Sequence, residues 1–299
     1  MSAQCVMGNT ICMYAVKTGR PDVIEAIIRR FPSDQVIDAL CVKNFLGENP
    51  LMHAARASEP GAFAVIAKLL PTNELTAQLE AKTEEGQTAL QIATRAGHVS
   101  TWRAVASAMS GDEMNRQVVA TDIYGETLVI LSVRSGNATM FYSVVGRLTG
   151  DQVLMQLGAR NKQGQTPAQV AVACGAESVL AAMVRPGWVS ACQLDAPDES
   201  EAQLTALDLA VRPPAKVNML RCLLACGATP TPRVILKLTR NSAKNDGGDR
   251  GGCGEVNVVR ECFVGAVAAS EWAPNPLIPG LNMSVALIEA SRARICDKC

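Results

Sequence analysis

Aromatic residues are scarce in this chain. Five Phe, three Tyr and three Trp make 4% of 299 residues, so a core has to be filled by Val, Leu, Ile and Ala. Those are plentiful, since apolar residues reach 48%. Net charge is absent as well, because 28 Lys and Arg balance 28 Asp and Glu. A general nucleic-acid binder or a protein held on a charged membrane surface is therefore not expected. No uninterrupted apolar run approaches the roughly 20 residues that a membrane-spanning helix needs, so no membrane insertion is expected. The opening MSAQCVMGNT has neither a basic flank nor an apolar stretch, and no signal peptide is expected there. The chain holds two His and lacks the G-x-x-x-x-G-K-[ST], H-E-x-x-H and G-x-S-x-G patterns. Its Gly-rich run, NDGGDRGGCG (245–254), follows no strand and reads as a loop, not a phosphate cradle. Cysteine is not lacking, but 11 residues at irregular spacing do not make the framework of a small secreted domain. Reduced thiols in a cytoplasmic compartment are the simpler expectation.

What is present is an internal repeat of 39 residues. Gly8, Gly47, Gly86, Gly125 and Gly164 share one phase. Thr10, Thr88, Thr127, Thr166 and Thr205 share another, with Asn49 as the exception. Ala15, Ala54, Ala93, Ala171 and Ala210 share a third, with Ser132 in the gap. The unit over 86–109 shows the local logic. Thr88 opens a helix at the N-cap or in its first turn, where its hydroxyl satisfies a free backbone N–H. Leu90, Ile92 and Ala93 face inward, and Gly97 ends the helix as a left-handed C-cap. Val99, Trp102, Val105, Ala106 and Met109 then follow at helical spacing.

Thr88-Ala89-Leu90-Gln91-Ile92-Ala93, Thr166-Pro167-Ala168-Gln169-Val170-Ala171 and Thr205-Ala206-Leu207-Asp208-Leu209-Ala210 resemble the T-P-L-H-x-A helix start of ankyrin repeats. Gly97-His98, and Cys226-Gly227-Ala228 after Leu223-Leu224, resemble that family's other signatures. The resemblance covers residues 8–230 and departs in period, 39 here against about 33. The six extra residues fall in DQVIDALCV (34–42), NELTAQLEA (73–81), DEMNRQVVA (112–120) and DQVLMQLGA (151–159). Val36, Leu75, Met114 and Val153 pair at i, i+4 with Leu40, Leu79, Val118 and Leu157. This predicts a short third helix with Asp or Asn near its N-terminus as a cap. Repeats five and six are less regular: 185–202 gains Pro and acid, and Pro213-Pro214 stand at a helix turn. Residues 231–299 read as a seventh repeat split by the Gly-rich insertion, a Pro-rich connector and a capping helix over 284–294. The expected fold is thus an all-α, ankyrin-type helical solenoid with short hairpin loops. Residues 1–230 form the repeat array, and a helical cap closes the C-terminus.

Site chemistry is thin. His53 lies on the first helix of repeat two and reads as a packed residue. His98 follows Gly97, where the resemblance implies a structural His. No enzyme activity and no cofactor are expected. Cys296-Asp297-Lys298-Cys299 is a C-x2-C knuckle, and with Cys253 and Cys262 it offers four thiolates for one zinc. Against that, eight residues separate Cys253 from Cys262, which also falls within an expected helix. A free terminal pair is the better reading. A redox role is weaker still, because no βαβ pattern surrounds the motif.

Two surface patterns remain. Lys17, Arg56, Arg95 and Arg134 share one phase at the end of each first helix, which the resemblance places on the concave groove. As caps they complement the helix dipole by ~0.3–1 kcal/mol, and at ~10 Å apart they repel by only about 0.4 kcal/mol in water. Solvated capping and a groove for an acidic ligand both remain open. The second pattern is the pair before each Gly: Phe45-Leu46, Glu84-Glu85, Ile123-Tyr124 and Lys162-Gln163. Phe45, Leu46, Ile123 and Tyr124 either pack between hairpins or anchor a partner. The resemblance implies a non-enzymatic protein-interaction module or scaffold, with another protein as partner and an acidic segment as one form of it. The alternative is an ankyrin-bearing effector or assembly subunit whose C-terminal segment carries a separate, zinc-dependent activity.

Overall fold

The computed structural model describes residues 4–184, 188, 194–199, 202–212, 216–231 and 233–234. The expected seventh repeat beyond 234, the Gly-rich loop, the capping helix and Cys253, Cys262, Cys296 and Cys299 lie outside them. Every regular element among the described residues is a helix. The chain forms two compact units, Met1–Trp188 and Val189–Cys299.

The first unit is built from successive helix triplets. They are α1 (Ile11–Lys17), α2 (Pro21–Ile28) and α3 (Ser33–Cys41); α4 (Pro50–Arg56), α5 (Gly61–Leu69) and α6 (Thr72–Glu80); α7 (Ala89–Ala96), α8 (Val99–Ser107) and α9 (Gly111–Val119); α10 (Leu128–Arg134), α11 (Ala138–Val145) and α12 (Gly150–Leu157). A fifth set begins with α13 (Pro167–Cys174) and α14 (Glu177–Met183). The first helices pack in series, α1 on α4, α4 on α7, α7 on α10 and α10 on α13. The second helices form a parallel series from α2 to α14.

The sequence signals act where they were expected to. Thr10, Thr88, Thr127 and Thr166 are N-caps whose hydroxyls accept from the backbone three residues on. Asn49 does the same through Oδ1, 2.9 Å from Met52 N, so the exception to the Thr phase keeps the function. Gly97 ends α7 at φ +75°, a conformation that costs an L side chain about 1–2 kcal/mol. Leu90, Ile92, Ala93, Trp102, Val105 and Ala106 are all buried. Small residues at the Ala phase let neighbouring first helices approach closely.

The third helices form over the expected segments, with different caps. Ser110 and Thr149 cap α9 and α12 with reciprocal capping boxes, while Pro32 and Pro71 precede α3 and α6 without a side-chain cap. Asp34, Asp112 and Asp151 lie one step inside, in the first turn, where they complement the helix dipole instead of closing the end. Each of α3, α6 and α9 packs on the first helix of the next repeat. They also bond to their own repeat. Thr88 Oγ1 donates to Gln117 Oε1 at 2.6 Å, and Asn49 Nδ2 donates to the Gln78 carbonyl at 3.0 Å.

In the second unit, Thr205 caps α15 (Ala206–Ala210) with Asp208 as its reciprocal partner. Helix α16 (Val217–Ala225) ends at Gly227, φ +85°, with Ala228 N donating to the Leu223 carbonyl at 3.0 Å. Asp195 accepts from both Thr229 N at 2.7 Å and Thr229 Oγ1 at 2.6 Å.

Ala93 is fully buried between helices of the first unit. Ala93→Asp is expected to destabilise the protein by roughly 3 kcal/mol or more, because the carboxylate has no partner there. A thermal melt followed by circular dichroism measures this; an unchanged midpoint would refute the packing described.

Candidate functional site

Each repeat opens with a tight hairpin, or finger, whose geometry is written in four residues. Asn44 Oδ1 accepts from Leu46 N at 3.0 Å and Glu48 N at 2.8 Å, while Gly47 N donates to the Asn44 carbonyl at 3.0 Å. Asp122 and Asn161 serve the same role in their fingers, and the Thr83 hydroxyl accepts the second of these bonds, from Gln87 N at 3.2 Å. Such short polar side chains favour turns because they bond to their own backbone.

The fingers are joined to one another by main chain. Phe45 N donates to the Met7 carbonyl (3.3 Å), Glu84 N to Leu46 (2.9 Å), Ile123 N to Glu85 (3.0 Å) and Lys162 N to Tyr124 (2.8 Å). Gly at the shared phase meets two demands at once. Gly125 has φ +73°, and a Cβ there would lie 3.0 Å from Lys162 N. The repeating Gly is therefore both a turn residue and the clearance for the next finger.

These bonds fix where the tip side chains stand. Phe45 is 68% exposed, and Leu46, Ile123 and Tyr124 are about half exposed at 49%, 45% and 49%. Val6 and Met7, at the tip of the first finger, are also exposed. Sequence reading missed them because Cys5 stands where later fingers carry Asn, Asp or Thr; the 39-residue step back from Phe45-Leu46 was the available signal. The main chain sets the apolar tips of the first two fingers side by side. The acidic tip Glu84-Glu85 separates them from Ile123 and Tyr124.

Lys17, Arg56, Arg95 and Arg134 all stand in the last turn of a first helix. They are not equivalent. Arg56 Nη2 lies 2.5 Å from Glu48 Oε1, and Arg134 is bound in the same way to Glu126. Both carboxylates are buried. At the matching positions repeats one and three carry Asn9 and Gln87, which are neutral. Arg95 reaches Glu85 instead, at 3.6 Å with both side chains half exposed, and Lys17 makes no ion pair among the described residues. Glu48 and Glu126 were missed from sequence, although each precedes its Arg by eight residues. Burial works most strongly against the charge of Arg134, but the hydrogen bond and charge of Glu126, together with Cys174, more than offset it, so its pKa is raised.

Glu48 also holds His53, whose Nε2 lies 3.4 Å from Oε2; Asn44 Nδ2 reaches the same oxygen at 3.2 Å. Burial pushes the His53 imidazole below its ordinary value of 6.5, with Glu48 opposing and Arg56 and Lys17 adding to the shift. His98 stands at the N-cap of α8 with no side-chain cap bond. A cleft beside Arg134 is lined by Cys174, Glu177 and Ser178, one cation and one carboxylate without a base–nucleophile pair. Among the described residues no group of three or more His, Cys, Asp or Glu could hold a metal ion. No described helix is long and apolar enough to cross a membrane.

Two outcomes follow for stability. Gly125→Ala is expected to lose roughly 1–2 kcal/mol or more from strained φ alone, whereas Gly150→Ala, with nothing within 4 Å of the added Cβ, is expected to be neutral or mildly stabilising. Urea unfolding of both variants checks this. For His53, the folded pKa lies below the unfolded 6.5, so the unfolded chain takes up the proton first as pH falls. Its contribution is therefore present above about pH 6.5 and is lost between 6.5 and the lower folded value. His53→Gln should flatten this part of the curve of thermal midpoint against pH; identical slopes in the two proteins would show that the buried imidazole is not its source.

No protein-family model and no curated protein matches the sequence. Among solved structures, the crystal structure of an ankyrin repeat domain from Acinetobacter baumannii AYE is similar to this chain. Sequence identity is 16%, the match covers 73% of this chain and 98% of that one, and the TM-score is 0.52. With its capped helix pairs, left-handed Gly ends and joined fingers, the chain has the ankyrin-repeat fold.

Proposed function

We propose that this protein is a non-enzymatic protein-interaction module that holds a partner across its finger tips and the adjoining ends of its first helices. The carrying observation is the set of exposed apolar tips, Phe45, Leu46, Ile123 and Tyr124, on fingers whose main chains are bonded together. Exposed anchors on a rigid support bind with little ordering cost, and large apolar residues of this kind hold most of the energy of an interface. The partner is an extended segment with acidic residues between its apolar ones. Successive first helices stand ~8–10 Å apart, which such a segment spans in about three residues.

The cations steer this segment, and their pairing sets their shares. Lys17 carries most of the attraction, with Arg95 next, because Arg56 and Arg134 are neutralised by the buried Glu48 and Glu126 while Arg95 is held more loosely, at 3.6 Å, by the half-exposed Glu85. Steering charges act chiefly on association, and buried anchors on dissociation. The reading places the protein in a reducing, cytoplasmic compartment with exposed thiols such as Cys5 and Cys174 free.

The test is stopped-flow binding, at two salt concentrations, to a partner captured from the native source. Lys17→Glu combined with Arg95→Glu should slow association several-fold and remove most of its salt dependence. Phe45→Ala with Tyr124→Ala should chiefly speed dissociation. Arg56 and Arg134 are left in place, since changing either strands a buried carboxylate and costs stability. A Phe45/Tyr124 variant that dissociates at the original rate would reject the tips as anchors. A Lys17/Arg95 variant that associates at the original rate would reduce the cations to helix caps.

A further inference from the structure

The row of finger tips alternates in chemistry. From the second finger to the fifth it runs Phe45-Leu46, Glu84-Glu85, Ile123-Tyr124, Lys162-Gln163, all exposed. Main chain fixes this order in space. Glu84 N donates to the Leu46 carbonyl at 2.9 Å, and the Glu85 carbonyl accepts from Ile123 N at 3.0 Å. The acidic pair is therefore bonded to an apolar tip on either side. Lys162 N, bonded to the Tyr124 carbonyl at 2.8 Å, continues the row. The tips bond through their main chains, so the stack itself requires no charge at either place. Glu84 and Lys162 make no ion pair among the described residues, whereas Glu85 is held by Arg95 at 3.6 Å. Apolar groups docked on both neighbouring tips exclude water from the space over Glu84. A carboxylate there is screened less than one in open solvent, and it discriminates strongly between a base and an acid placed against it.

We propose that Glu84 and Lys162 set the order of residues in the bound segment: an apolar residue on the second finger, a base on the third, an apolar residue on the fourth and an acid on the fifth. The proposal rests on the partner-binding reading and narrows it. Backbone geometry supplies the interval. A segment in the polyproline II form has three residues per turn and rises ~3.1 Å per residue, so it returns the same face about every 9 Å. That matches the ~8–10 Å between packed helices, and one face of the segment meets every finger in turn. Its other faces are left for the acidic residues that meet Lys17 and Arg95. The required pattern is thus apolar, base, apolar, acid at intervals of about three residues. A polyanion or an anionic membrane surface meets the acidic pair in mid-row and is disfavoured.

Peptide selection on the full chain tests this. The probe is a displayed library of random peptides of about 16 residues, long enough to cross these fingers. On the unmodified protein, enriched sequences should carry a base midway between two apolar residues, with an acid about three residues past the second. On Glu84→Lys the base should give way to an acid while the apolar residues stay. On Lys162→Glu the final acid should give way to a base. A peptide selected on the unmodified protein should bind Glu84→Lys about tenfold more weakly, and reversing its central charge should restore the affinity. Both changes stand on exposed tips, so the circular dichroism spectrum should not move. Identical sequences enriched on Glu84→Lys and on the unmodified protein overturn the proposal. If those sequences are nonetheless lost on Phe45→Ala with Tyr124→Ala, the partner-binding reading stands without it. If they survive that change as well, the tips are not the binding surface and both fall. A library that enriches nothing also overturns both, and is the outcome expected of tips covered by a second copy of the chain.

Discussion

The bond from one finger's leading N–H to the carbonyl of the finger before it governs the first unit. It holds successive hairpins in one register, and it does so with backbone atoms, which every residue type supplies. The single side-chain condition is that there be none at the Gly phase, where a Cβ on Gly8, Gly86 or Gly125 would come within 2.9–3.1 Å of the next finger's nitrogen. With the fingers fixed, the capped first helices and the second helices behind them fall into two parallel series. Tip residues can then vary from Phe45-Leu46 to Glu84-Glu85 without disturbing the stack. This separation of scaffold from surface lets binding residues sit on short loops and still be rigid.

Much of this is legible in sequence because it recurs. The Thr phase, the Gly phases and the i, i+4 pairs of the third helix each appear several times, so chance is excluded by repetition and the local physics supplies the meaning. What recurs only in part is harder to see. Glu48 and Glu126 occupy every second repeat, alternating with Asn9, Gln87 and Gln165. A search for residues common to all repeats passes over them. The cation row was visible, but its uneven charge was not. The third-helix caps were misplaced by a short step for a different reason. Asp favours both the cap and the first turn, and composition alone does not separate the two when Pro, Ser or Thr precedes it.

The paired carboxylates show how a helix end can be occupied twice. An Arg in the last turn already complements the carbonyls of its own helix. Placing Glu48 or Glu126 beneath it takes up the same guanidinium from the finger side, so one side chain ties a first helix to its own hairpin. Burying a carboxylate is costly unless it is well bonded. Glu48 meets this by accepting from Arg56 and Asn44, with His53 Nε2 3.4 Å from the second oxygen. In repeat three the neutral Gln87 turns to Asp122 of the next finger at 3.2 Å, a link between repeats in place of a link within one.

The confinement of each Glu–Arg pair to one repeat bears on how such a chain can change over generations. A pair that begins and ends inside a unit travels with it when that unit is copied or lost. The junction a copy must then make is apolar helix packing, which recurs at every repeat, and the finger bond, which reads no side chain and accepts any neighbour with a Gly in the right place. Duplication or deletion by whole units thus meets little chemical resistance at its seams. An exchange cut within a unit, between Glu126 and Arg134, would leave an acid buried without its base. The physics of one ion pair sets where recombination can fall.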